Sequence, residues 1–132
     1  MIKKIGLITI VALLVSGLLG LKSYSHKAPD LVSSISSNRD YYLTIIAYKN
    51  EIEDKEAFAK ELIQMCVDNS FETIRFSTDF GYPTELRMKV YASEKDWKNG
   101  NDILMEVKYT QESLQKEYDI VNNPEKFKLV VE

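Results

Sequence analysis

The triplet Asp79-Phe-Gly81 matches the one with which protein kinases present a magnesium-binding aspartate to ATP. That chemistry also needs a glycine-rich phosphate loop, a strand lysine and a His-Arg-Asp catalytic loop, on a domain far larger than 132 residues can hold. None of these segments occurs in the sequence. A turn explains the same letters, because Asp79, Gly81 and Pro83 are turn formers between two runs of strand-like alternation. The triplet is read as a hairpin tip and Asp79 as a turn residue. Phe80 and Tyr82 then become the informative pair, since apolar rings at a tip either fold back or meet a partner.

The segment Asp96-Trp-Lys-Asn-Gly-Asn-Asp102 is acidic and contains a glycine. Against the calcium-loop pattern the glycine comes one position early and Lys98 falls on a ligand position, so a surface turn is expected. Cys66 is the single cysteine and His26 the single histidine. Those counts remove Ser/His/Asp and Cys/His nucleophile systems and zinc sites of His and Cys, and they leave no internal disulfide. Acidic residues are plentiful, yet no pair has a spacing that places two carboxylates on one buried face. They read as solvent-facing charges, and no cofactor is implied.

Net charge adds an exclusion. With 17 basic and 20 acidic residues the chain carries −3, and setting aside Lys3, Lys4 and Lys22 leaves −6. A remainder of that sign lacks the basic footprint of a nucleic-acid binder.

The elements that must position any site begin with targeting. Met1-Ile-Lys-Lys4 is followed by Ile5 to Leu21 without a charge, then Lys22. A run of this length lies where a secretory core of about 7 to 15 residues meets a spanning helix of about 17 to 25. Residues 1–22 are expected to be a single-pass anchor, with a cleaved signal peptide as the alternative, since Ser23-Tyr24-Ser25 has small residues at cleavage positions. Lys3 and Lys4 favour a cytoplasmic N-terminus, which places the remainder outside the membrane. The serine-rich residues 23–40 read as a flexible tether, and residues 41–132 as a small extracytoplasmic domain.

Within that domain, residues 41–48 are rich in β-branched and aromatic side chains and predict a strand. Asp54 caps a predicted helix over 55–68, in which Phe58, Leu62, Met65 and Cys66 form one apolar stripe, widened by Ala59, Ile63 and Val67. Cys66 is accordingly read as a small buried hydrophobe. Alternation predicts strands over 73–79, 84–92 and 102–110, and Ser93 to Asp96 has a capping-box pattern that starts a short helix over 94–99. Residues 111–121 are read as a helix or partly a strand, and 127–131 as a last strand after Pro124. The fold class is α+β: a small antiparallel sheet with one main helix on one face, in a suspected ferredoxin-like βαββαβ order, preceded by an N-terminal apolar helix.

In such a sheet Arg75, Arg87, Lys89 and Lys108 share the helix-free face with Tyr91, joined by Tyr42 and Tyr48. That face is either ordinary wetted surface, covered or not by residues 111–132, or a basic and aromatic surface for an acidic protein partner or the membrane. Arg75, Arg87, Lys89, Tyr91, Lys108, Phe80 and Tyr82 form the candidate interaction surface. The functional expectation is a non-enzymatic, membrane-anchored interaction module. A secreted inhibitor or immunity-type factor and a small carboxylate-dependent enzyme are the alternatives.

Overall fold

The computed structural model describes residues 27–132. The apolar run 5–21, the possible cleavage site and His26 lie outside the described residues, and among those described no helix is long and apolar enough to cross a membrane.

The chain runs β1 (Asp30–Ser37), β2 (Asp40–Ile46), α1 (Lys55–Asp68), β3 (Glu85–Tyr91), α2 (Glu94–Lys98), β4 (Met105–Gln111), a 3-10 turn (Pro124–Lys126) and β5 (Phe127–Val131). The strands form one mixed sheet in sequence order, β1-β2-β3-β4-β5. Every neighbouring pair is antiparallel except β2 and β3. Parallel neighbours need a crossover, and α1 supplies it.

The expected α+β class holds, while the ferredoxin-like order and the purely antiparallel sheet are corrected. Two segments account for the difference. Residues 30–37, read as tether, form the first strand. Asn38 and Arg39 take φ of 52° and 73°, the left-handed pair of a two-residue hairpin turn, and Leu31 is fully buried. Residues 73–79, read as a strand, do not enter the sheet. Side chains have taken the backbone groups that a ladder would use: Asn69 accepts from Phe76 N–H at 2.8 Å and donates to its carbonyl at 3.0 Å, while Asp30 accepts from Thr73 N–H at 3.1 Å. Residues 111–121 are likewise neither helix nor separate strand, because the ladder of β4 ends at Gln111 and turns follow.

The main helix matches its expected bounds. Asp54 Oδ1 accepts from Ala57 N–H at 3.0 Å, and Asn69 closes the helix in the left-handed region at φ 54°. Phe58, Ala59, Leu62, Ile63 and Cys66 are buried against Leu43, Ile45, Met88, Val90, Met105 and Val107 on one sheet face. Ser93 caps α2 by accepting from Asp96 N–H at 3.1 Å. The core therefore lies between α1 and a single face of the sheet, and the alternation of β2, β3 and β4 turns their other side chains outward.

Candidate functional site

Register places the outward side chains in rows across the sheet. Ile35 pairs with Tyr42, Tyr42 with Arg87, Arg87 with Lys108 and Lys108 with Val130. The next row runs Ser33, Thr44, Lys89, Glu106. Two apolar side chains thus stand beside two cations, and Ile35 and Tyr42 remain 66% and 49% exposed. Together they line a shallow concavity of about 390 Å³. β5 extends the sheet rather than covering this face.

The charges here are unevenly satisfied. Arg87 stands directly opposite Lys108, a repulsive placement across a sheet. Arg87 is answered along its own strand by Glu85 at 3.2 Å, whose side chain is only 6% exposed. Lys89 faces Glu106 across the strands, but among the described residues neither Lys89 nor Lys108 closes an ion pair.

Glu85 belongs to a second polar group at the end of the sheet. Lys116 reaches both Glu85 and, at 3.8 Å, Asp40. Thr84 Oγ1 donates to Asp40 at 2.8 Å, and Thr84 N–H donates to the Arg39 carbonyl at 2.8 Å, which fastens the β1–β2 turn to β3. Gln111, also buried, donates to the carbonyls of Thr84 and Tyr118 and accepts from Tyr118 N–H. This holds the segment that carries Lys116. None of Glu85, Asp40, Lys116 and Gln111 stands out in the sequence, since each is an ordinary polar residue and only tertiary contact joins them. A polar residue on the inward phase of a strand, as Gln111 is, was the one available signal.

The proposed surface residues do not all meet. Arg87, Lys89, Tyr91 and Lys108 share the open face as expected. Arg75 does not: it lies in the loop after α1, and its Nε donates to the Phe71 carbonyl at 3.1 Å. Tyr48 leaves the strand at φ 57° and donates its hydroxyl to Glu94 at 3.1 Å. Phe80 and Tyr82 occupy a loop, not a hairpin between strands. Gly81 N–H closes a turn on the Thr78 carbonyl at 3.1 Å, with Asp79 and Phe80 at its apex. Gly81 is favoured there by a φ of 111°, and a Cβ would also displace the mobile end of the Arg39 side chain, whose Nη1 lies 2.5 Å away. Phe80 is 90% exposed and Tyr82 39%, so the rings stand out from the domain rather than folding back.

Elsewhere the titrating groups are structural. Burial pushes the Cys66 thiol well above its ordinary range, as expected of a core residue. Burial alone would raise the Asp30 carboxyl, but hydrogen bonds from Thr73 and Leu31 outweigh it and hold it below the usual range. In the segment Asp96 to Asp102, the Asp96 carboxylate accepts from the Asn101 amide at 2.8 Å and the Ser93 hydroxyl at 3.0 Å, which lowers its carboxyl and ties the loop together. Among the described residues no three His, Cys, Asp or Glu side chains converge on one point.

Compared with known proteins, the chain matches no family, no curated protein and no solved structure.

Proposed function

We propose that this chain is a non-enzymatic, membrane-anchored interaction module, held outside the membrane by residues 5–21, whose open sheet face receives an acidic segment of a protein partner. One observation carries the reading: exposed Ile35 and Tyr42 lie in register with Arg87 and Lys108 on the middle of the helix-free face, between fully buried Ile46 at one end and Glu85, held by Lys116, at the other. A domain with an excess of acidic residues that gathers Arg87, Lys89 and Lys108 on one surface offers a local attraction for carboxylates. The adjacent ring and aliphatic side chain supply area that gains from leaving water. Phe80 and Tyr82 form a second exposed point on the same domain.

The test places a photo-reactive phenylalanine analogue at Thr44 in the full-length chain, in cells. We expect a cross-linked protein whose contacting peptide is rich in Asp or Glu, and loss of that product in the double variant Arg87→Glu, Lys89→Glu. Equal capture by both forms would refute the face, as would binding of the full chain to anionic vesicles with no protein product. Carbonate extraction tests the anchor: retention in the membrane pellet is expected, and a mature N-terminus near His26 refutes it.

A further inference from the structure

β1 is the outermost strand on its side, and its free edge has a definite pattern. Thr84 N–H bonds the Arg39 carbonyl and Ala47 N–H bonds the Tyr91 carbonyl, so odd-numbered residues along β2 turn their backbone to β3. Even-numbered residues turn theirs to β1, and Tyr42 therefore bonds its register partner Ile35. It follows that the backbone of Ser34 and Ser36 points away from the sheet. Among the described residues no backbone group meets Ser34 or Ser36 on that side. Natural edge strands are guarded by Lys, Pro or inward charges, and Leu31 to Ser37 contains none of these. Among the described residues its guards are the irregularity at Val32 and, at the first residue of the strand, the buried Asp30 carboxylate bonded to Thr73.

We propose that a second copy of this chain adds to the β1 edge as an antiparallel strand, about a two-fold axis through Ile35, joining the two sheets into one. Side-chain alternation restricts the axis to a position at a residue, because any other register would bring opposite faces together. With the axis at Ile35, Ser34 faces Ser36 of the copy and each exchanges backbone bonds with the other. Moving it to Ser34 pairs Ser36 with the irregular Val32, and moving it to Ser36 pairs Ser34 with Asn38, which is in the turn at φ 52°. Both shifts lose ladder bonds.

The register at Ile35 also buries the exposed large apolar side chain of this edge. Ile35 meets Ile35 of the copy in a non-hydrogen-bonded pair at about 4.5 Å between Cα atoms. Tyr42, its cross-strand neighbour, flanks it on the same face in each chain. No charged residue lies from Leu31 to Asn38, so no like charges oppose one another across the axis. The contact takes Ile35 from the rim of the face proposed for the acidic partner and leaves Arg87, Lys89 and Lys108 uncovered.

The experiment uses the full-length chain in its membrane and in detergent micelles. Cys66 is buried, so an introduced thiol is the reactive one. Ile35→Cys is expected to form a disulfide-linked dimer under copper phenanthroline, because its Cα separation lies within disulfide reach of about 4.4 to 6.8 Å. Ser37→Cys, displaced along the strand from its own copy, and Lys128→Cys on the far edge are expected to remain monomeric. Ser36→Pro removes an outward amide without breaking the β1–β2 ladder, a position an edge strand tolerates. It is expected to weaken dimerisation in sedimentation by about tenfold or more, with an unchanged melting temperature at concentrations low enough that both forms are monomeric. A chain that sediments as a monomer, cross-linking at Lys128→Cys or Ser37→Cys equal to that at Ile35→Cys, a dimer indifferent to Ser36→Pro, or an Ile35→Cys product that contains only another protein would each overturn the proposal.

Discussion

Replacing Gln111 by Leu tests whether one buried amide holds the end of the sheet together. Gln111 is 8% exposed and engages three backbone groups: its Nε2 donates to Thr84 O at 2.8 Å and Tyr118 O at 2.9 Å, and its Oε1 accepts from Tyr118 N–H at 3.2 Å. Leucine keeps most of the volume and removes all three bonds. Thr84 is fully buried, so its carbonyl loses a partner where water cannot replace it, a cost of about 2 kcal/mol. Tyr118 is half-buried, and its two groups recover part of their loss from water, leaving about 0.5 kcal/mol each. The added apolar burial returns about 1 kcal/mol, for a net destabilisation of about 2 kcal/mol. In urea that lowers the midpoint by about 1 M at an unchanged slope. Native-state hydrogen exchange should localise the effect, with the amides of Tyr118 and Ile120 opening first, because the Ile120 N–H bond to Pro83 O at 3.0 Å lies in the same segment. A Leu variant within about 0.5 kcal/mol of wild type, or one whose exchange rises evenly across the sheet, would refute the reasoning.

Three further outcomes follow from other contacts. Lys116→Met leaves Glu85 buried with Arg87 as its remaining cationic partner, and after discount for the one-third exposure of Lys116 it should cost about 1 to 2 kcal/mol. Adding Glu85→Gln should recover most of this in a double-mutant cycle, and additive losses would show that the two do not interact. Asn69→Ala gives up both Phe76 bonds and keeps the left-handed strain, so it should destabilise by about 2 kcal/mol, whereas Asn69→Gly relieves the strain and should cost about half as much by thermal melting. Asp30 and Asp119 both titrate below their ordinary value of 3.8 when folded, so the stability they contribute is present above that value and is lost as pH falls through the folded pKa values. Urea midpoints should therefore drop below about pH 4, and the drop should be shallower in Asp30→Asn.

The differences between sequence and structure have local causes. The helix Lys55–Asp68 was legible because cap, stripe and terminator all lie within its own sequence: Asp54, the apolar positions around Leu62, and Asn69. β3, β4 and β5 were legible because alternation is a local property, and with it the placement of Arg87, Lys89 and Lys108 on one face. β1 was not, because Leu-Val-Ser-Ser-Ile-Ser-Ser has the composition of a linker, and its strand character comes from the turn at Asn38-Arg39 and from the neighbour it pairs with. Arg75 was misplaced for the opposite reason: its segment alternates like a strand, while Asn69 and Asp30 hold its backbone elsewhere.

By itself the sequence determined which chemistry is foreclosed. One histidine and one cysteine cannot supply the usual nucleophile or zinc systems, and without the accompanying kinase segments Asp79-Phe-Gly81 is only a turn. It also determined the α+β class, since the periods of alternation and of the helical stripe are written along the chain. Tertiary structure decided the strand order, the parallel pairing of β2 with β3, the cluster of Glu85, Lys116, Asp40 and Gln111, and the exposed row of Ile35, Tyr42, Arg87 and Lys108. These depend on which distant backbones find each other, and in this chain side-chain hydrogen bonds from Asn69 and Asp30 enter that competition by occupying the backbone groups of Phe76 and Thr73.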